Sequence, residues 1–355
     1  VAQAAEQVTL VDTVWYENLK TDGTQYTLTG TLMVKSTGEP LLDADGNPVT
    51  ATTTFKARTA SGEVELEFTF DGSLLAGEDI VAFESMVSDG IEVAVHADIS
   101  DEDQTVHFVD IHTTATDQGD GDKLVTGTEI VISDEVSYEG LTPGTEYTLE
   151  ATLETGEPVT MGEGLAEKQV TGTATFVPEE ADGTHVVEVA FDGTGLGGKS
   201  LVVYEKLFSA GVQLASHEDP SDEGQTVTVV EIGTTLVDAS DGDHVVVSGK
   251  VKLTDTIEYK GLVPGETYTA HGTLMVKSTG LALEDADGKP VTATAEFTPD
   301  NPSGTVDVTF EFDASKIEEG VELVAFEECL GVNGNVIAVH QDIEDDGQTV
   351  VVDNP

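Results

Sequence analysis

The same long block of sequence occurs three times in this chain, and that repeat leaves little choice of architecture. LVDTVWYENL (10–19), ISDEVSYEGL (132–141) and LTDTIEYKGL (253–262) are one segment. VAFE (81–84), VVYE (202–205) and VAFE (324–327) are a second, and HADISDEDQTV (96–106), HEDPSDEGQTV (217–227) and HQDIEDDGQTV (340–350) a third. Gln104 to Gln225 is 121 residues and Gln225 to Gln348 is 123. A period this long is a string of whole domains, each able to bury its own core, rather than a solenoid of mutually dependent units. The 355 residues therefore divide into three domains, at 1–109, 110–230 and 231–355.

Within each copy apolar and polar residues alternate. VELEFTF (64–70), VVEVAF (186–191) and VDVTFEF (306–312) read as half-buried strands, separated by turn signals such as DADGNP, TPG, VPG and DADGKP. No segment keeps a helical period. The expected class is all-β: three tandem Ig-like antiparallel β-sandwiches. QTVHFVDIHTTATD and QTVTVVEIGTTLVD pass from one copy to the next with no Gly/Ser or Pro-rich spacer, so the domains are expected to stack as a semi-rigid rod.

Composition narrows the partners. Asp and Glu number 69 against 14 Lys and Arg, a net charge of −55, which repels nucleic acid and anionic membranes. The acids are scattered through strands and turns, as on a solvated surface suited to a secreted or halophilic protein. A single cysteine, Cys329, excludes an internal disulfide and reads as a small buried hydrophobe. There is no stretch of 18 apolar residues and no signal peptide, so no membrane insertion is expected, and the chain reads as a piece whose targeting signals lie elsewhere.

A polar set recurs at nearly fixed spacing: Asp12, Glu84, His96, Gln104; Asp134, Glu205, His217, Gln225; Asp255, Glu327, His340, Gln348. Asp to Glu is 72, 71 and 72 residues, Glu to His 12, 12 and 13, and His to Gln 8 each time. Thr113 and Thr234 each stand 21 residues before the Asp. Strand parity turns these groups inward. Thr113 shares a face with Ile111 and Ala115, Thr234 with Ile232 and Leu236, Asp134 with Ile132, Val136 and Tyr138, and Gln225 with Val227 and Val229. A lone buried polar group is ordinarily a satisfied structural hydrogen bond; five pointing inward together suggest a reaction site. Two carboxyls forced together in a dry site share a proton and can then polarise an amide oxygen. Thr Oγ attack on the Gln side-chain carbonyl, with loss of ammonia, gives an ester between partners expected on adjacent strands.

These residues carry a family resemblance. The ITTA strand, the DTV-Y-x-x-L turn, the VAFE run and the H-x-D…Q-T-V ending resemble the Thr–Gln ester-bond domains (VaFE repeats) of Gram-positive surface adhesins. The resemblance covers nearly the whole chain. It implies cross-links Thr113–Gln225 and Thr234–Gln348, aided by Asp134, Glu205 and His217 in copy two and by Asp255, Glu327 and His340 in copy three. Copy one keeps Asp12, Glu84, His96 and Gln104 without a matching Thr, and so reads as an open half-site with its free edge beside QTVHFV. Position 135 is Glu where copies one and three have Thr13 and Thr256, so the nucleophile is assigned to the ITT strand.

Other features are weaker. DADGN (43–47), DADGK (285–289) and DGD (120–122) could ligate calcium, but none completes a twelve-residue loop, and β-turns are the plainer reading. His107, His112, His185, His244 and His271 lack a common spacing and read as surface or edge residues. Trp15 and Tyr16 read as packing. No metal site and no cofactor is expected, and any catalysis would be a single event on the chain itself rather than enzymatic turnover. The expected role is a stalk of an extracellular, cell-wall-attached adhesin that binds a host or surface ligand through a domain outside this chain. The alternative is an acidic, halophilic surface β-repeat protein whose polar set is only a buried hydrogen-bond network. A carbohydrate- or protein-binding module would call for an aromatic face, and aromatics are 6% of the chain with no cluster.

Overall fold

The computed structural model describes residues 1–155 and 169–353. Domain two shows the plan. One sheet is antiparallel, in the order Gly183–Phe191, Ile130–Glu139, Thr105–Asp117. The facing sheet places Leu124–Val125 parallel to Thr226–Val229, then Ser200–Ser209, Tyr147–Glu154 and Thr171–Phe176. Val212–His217 continues along the same edge of Ser200–Ser209. Alternation in the sequence becomes alternation of burial: Ile132, Asp134 and Val136 face in, and Glu135 faces out. The two inner faces meet in a core that includes Leu149, Val187, Val203 and Val227, all without exposed surface. Burying each such side chain contributes about 1.5–3 kcal/mol.

Domain three repeats this plan. Glu231–Asp238, Lys250–Lys260 and Ser303–Asp313 form one sheet. Val245–Val247, Thr349–Asp353, Glu322–Leu330, Tyr268–Val276 and Thr292–Phe297 form the other, with Val336–His340 on its edge. Cys329 lies in this core, where burial pushes its thiol up to about 12.

Domain one differs in one respect. Val8–Tyr16 pairs with Gly62–Phe70 on one side, and among the described residues no strand lies along its other side. The open edge is therefore that of the Asp12 strand. It is not beside QTVHFV, as expected, because the Thr105 strand already has neighbours in Asp79–Ser88 and Ala2–Gln3. Every residue of Ile91–His96 is exposed, whereas its counterparts Val212–His217 and Val336–His340 are partly buried. Trp15 does not pack. Alternation turns it outward, 76% exposed, while Tyr16 meets the Phe55 ring at 5.4 Å.

No spacer separates the domains. Thr105–Asp117 is one 13-residue strand that ends domain one and begins domain two. At the second junction Thr226–Val229 and Glu231–Asp238 are separated only by Val230. The chains pass so closely there that a Cβ on Gly261 would stand 2.4 Å from the Val229 carbonyl oxygen, and the residue has φ +86°. Only glycine fits that backbone.

Candidate functional site

The site of domain two is assembled across the sandwich. Thr113 and Asp134 come from the three-stranded sheet, where pairing sets Val136 opposite Thr113 and Asp134 opposite Ala115. Glu205 and His217 pair across two strands of the facing sheet. Gln225 ends a 3-10 turn, Glu223–Gln225, immediately before the last strand. The expectation of partners on adjacent strands is thus corrected: Thr113 and Gln225 belong to opposite sheets, and side chains bridge the core between them.

Asp134, Glu205 and Gln225 have no exposed surface, and Thr113 is 6% exposed. Gln225 Nε2 donates to Thr113 Oγ1 at 2.7 Å, and more weakly to the His217 carbonyl oxygen at 3.4 Å. Gln225 Oε1 and all four oxygens of Asp134 and Glu205 are buried, and none meets a donor at full hydrogen-bond distance and angle, although the Glu205 carboxyl and the Thr113 hydroxyl lie near enough to act on Asp134. Burial pushes Glu205 up to about 10, and the adjacent Asp134 charge adds to the shift. Burial also raises Asp134, to about 6, while the Glu205 carboxyl, the Thr113 hydroxyl, Lys123 and His217 pull it down. Buried together, the two carboxyls cannot both ionise, so the pair holds one proton between them.

His217 does not reach the Thr113 hydroxyl. Its Nδ1 faces the Ile111 carbonyl oxygen at 3.2 Å, two residues before Thr113, and its Nε2 faces Asp222 Oδ2 at 2.9 Å. Asp222 also accepts from the Gly224 N–H, which fixes the turn that carries Gln225. Sequence reasoning missed this aspartate. Its signal was present: Asp101, Asp222 and Asp345 all stand five residues after the His and three before the Gln.

Domain three matches. Asp255, Glu327 and Gln348 have no exposed surface, and Gln348 Nε2 donates to Thr234 Oγ1. His340 faces the Ile232 carbonyl oxygen at 3.3 Å and Asp345 at 2.9 Å. Burial raises both Asp255 and Glu327, the latter to about 10. For Asp345 burial is the largest single effect and acts upward, but the His340 hydrogen bond, the Gly347 and Gln348 N–H groups and the His340 charge together outweigh it and hold the carboxyl down.

Domain one shows the same groups without a threonine strand. Gln104 Nε2 turns to Glu84 at 3.1 Å, and His96 Nδ1 to the same carboxyl at 3.5 Å, with His96 Nε2 3.2 Å from Asp101. Burial raises Asp12, and Glu84 rises only to about 7. The candidate calcium turns use their carboxylates internally: Asp43 accepts from the N–H groups of Asp45 and Asn47, and Asp285 from those of Asp287 and Lys289. Of the remaining histidines, His112 lies edge-on to His217, 5.4 Å between ring centres. His107 bonds Asp79 and His185 stacks on Phe176, both away from the sites.

The fold and site define a class: tandem β-sandwich domains with a buried Thr–Gln pair attended by two carboxyls and a histidine. Residues 1–108, 109–229 and 230–352 each match the family described as T-Q ester bond containing domain, and the chain belongs to that family. No curated protein matches it. Among solved structures it is similar to a bacterial adhesin from Mobiluncus mulieris containing intramolecular disulfide, isopeptide and ester bond cross-links. The identity is 13%, the TM-score 0.32, and the match covers 69% of this chain and 98% of that one. It is also similar to the C-terminal domain of the Streptococcus pyogenes antigen I/II-family protein AspA, at 10% identity and TM-score 0.32, over 70% of this chain and 100% of that one.

Proposed function

We propose that domains two and three each form an ester between Thr Oγ1 and Gln Cδ, Thr113–Gln225 and Thr234–Gln348, and that the chain is a self-stapled stalk of a cell-surface adhesin. The observation that carries this reading is the contact of Gln225 Nε2 with Thr113 Oγ1 in a buried site. Asp134 takes the hydroxyl proton as Oγ1 bonds to Cδ. Glu205, protonated, donates to the oxygen where negative charge develops. The tetrahedral centre then collapses, the Cδ–Nε2 bond breaks, and the proton leaves with the nitrogen as ammonia. The sum is hydroxyl plus primary amide giving ester plus ammonia, with no cofactor or metal drawn upon. His217, between Asp222 and the Ile111 carbonyl, holds the nucleophile strand against the Gln225 turn. Each site acts once, on its own chain, so this is not an enzyme.

The stalk role rests on placement. Each ester joins the first strand of a domain to its last, and these are the strands through which the domain connects to its neighbours. A pull along a rod of such domains would load the ester rather than the sheet. In this reading the parent protein is extracellular, attached to a Gram-positive cell wall, and its ligand is bound by a domain outside this chain. Mass mapping of digests of the denatured chain tests the chemistry. A joined peptide pair containing Thr113 and Gln225 supports it; separate, unmodified peptides mean that the polar set is only a buried network.

A further inference from the structure

Lys123 opens the short parallel strand beside Thr226–Val229, its own carbonyl accepting from the Thr228 N–H at 2.8 Å. Its half-buried side chain turns inward. The Nζ donates to the Ala115 carbonyl oxygen and, at 2.6 Å, to that of Gly224. Ala115 lies two residues beyond Thr113 and directly opposite Asp134. Gly224 immediately precedes Gln225, and its N–H is held by Asp222, the partner of His217. One ammonium therefore ties the nucleophile strand of one sheet to the electrophile turn of the other. Domain three has His244 at this place, after the same Asp-Gly-Asp triplet. Its Nδ1 meets the Thr349 carbonyl oxygen at 3.1 Å, and among the described residues its hydrogen bond runs to the last strand alone.

We propose that Lys123 is a positioning residue for the domain-two cross-link, holding the Thr113 strand and the Gln225 turn at reacting distance before any covalent bond joins them. The inference rests on the cross-linking reading and adds a requirement that domain three does not share. Two strands in opposite sheets have no ladder hydrogen bonds to fix their spacing. A misplacement of about 1 Å between reacting groups can cost a hundredfold in rate. His217 bridges the two at Ile111 and Asp222, and Lys123 supplies a second tie, on the other side of Thr113, through two charge-assisted hydrogen bonds. Its charge also bears on the reaction. The charged groups facing it are Asp134 and Asp222, and Asp134 in turn faces Glu205, the Thr113 hydroxyl and His217. Lys123 thus favours the ionised Asp134 needed to receive the hydroxyl proton.

The test uses the full chain with Lys123 unchanged, Lys123→Met or Lys123→Arg. Each is made in short cell-free pulses, shifted into buffers of different pH, and quenched in denaturant at timed points. Both bonds are read by mass in the same molecule, so domain three is the internal standard for synthesis and quench, while the Arg variant and the acid limb distinguish lost positioning from misfolding of domain two. Lys123→Met is expected to slow the Thr113–Gln225 bond by about tenfold or more and leave Thr234–Gln348 at its original rate. It should also move the acid limb of the domain-two rate profile to higher pH, because Asp134 loses a neighbouring cation. Lys123→Arg should restore most of the rate. A Met variant that forms both bonds at the original rates would overturn the proposal. So would a slow Met variant with an unmoved acid limb and no rescue by Arg, the signature of a merely structural lysine. If the unaltered chain forms neither bond, the cross-linking reading itself falls, and this inference with it.

Discussion

The side-chain nitrogen of Gln225 donates to the Thr113 hydroxyl at 2.7 Å, across 112 residues of chain and from the opposite sheet of the sandwich. Such a contact between a nucleophile and an amide gives an effective concentration that solution cannot match. Beside it lies the buried carboxyl pair of Asp134 and Glu205, which in the proposed reaction serves as base and proton donor.

Glu205→Ala and Glu327→Ala are each expected to block the bond of their own domain while the fold survives. Without its protonated partner the amide carbonyl loses a polarising donor, a loss of order 10²–10³ in rate. Complete bond formation in either variant within hours would make the glutamate structural only.

Bond formation in domain two should follow a bell-shaped pH profile. Burial raises Asp134 to about 6, and it must be ionised to take the proton, so the rate climbs as pH rises through that value. Burial raises Glu205 to about 10, and it must keep its proton, so the rate falls as pH passes through that value. A rate that is flat between mild acid and strong base would separate the chemistry from these two groups.

The staple should stabilise chiefly by restricting the unfolded chain. By analogy with a disulfide closing a loop near 100 residues, the entropic contribution is roughly 4–5 kcal/mol. Thr234→Ala should therefore clearly lower the melting temperature of domain three. An unchanged calorimetric transition would mean that no staple forms there.

Pulled from its ends, a cross-linked domain two cannot release the chain between Thr113 and Gln225, which are 112 residues apart. At about 3.4 Å per residue that segment hides roughly 380 Å of length. Domain one, unstapled, gives one step of similar size in every variant, so single-molecule extension should show one such step in the unaltered chain and two in Thr113→Ala. Two such steps in the unaltered chain would contradict a stalk locked by esters.

Much of this site could be read from residue types and parity. Asp134, Glu205 and Gln225 sit on apolar stripes in the sequence and are fully buried in the fold. What parity does not carry is which sheet a strand joins, because alternation specifies a face and not a neighbour. Thr113 and Gln225 were therefore expected side by side and instead meet across the core. Asp222 was hidden for another reason: an aspartate in a D/G-rich segment reads as a turn former, and it does cap the 3-10 turn while also holding His217. Trp15 misled because large aromatics usually pack, yet its strand position turns it outward beside the open edge of domain one.

The central claim is that the domains holding both partners are esterified and domain one, in this chain, is not: Gln104 has Glu84 rather than a threonine beside it. Intact mass of the denatured 355-residue chain tests this directly. The predicted mass is that of the sequence less two molecules of ammonia, with Gln104 still an amide. A mass equal to that of the unmodified sequence would contradict the account.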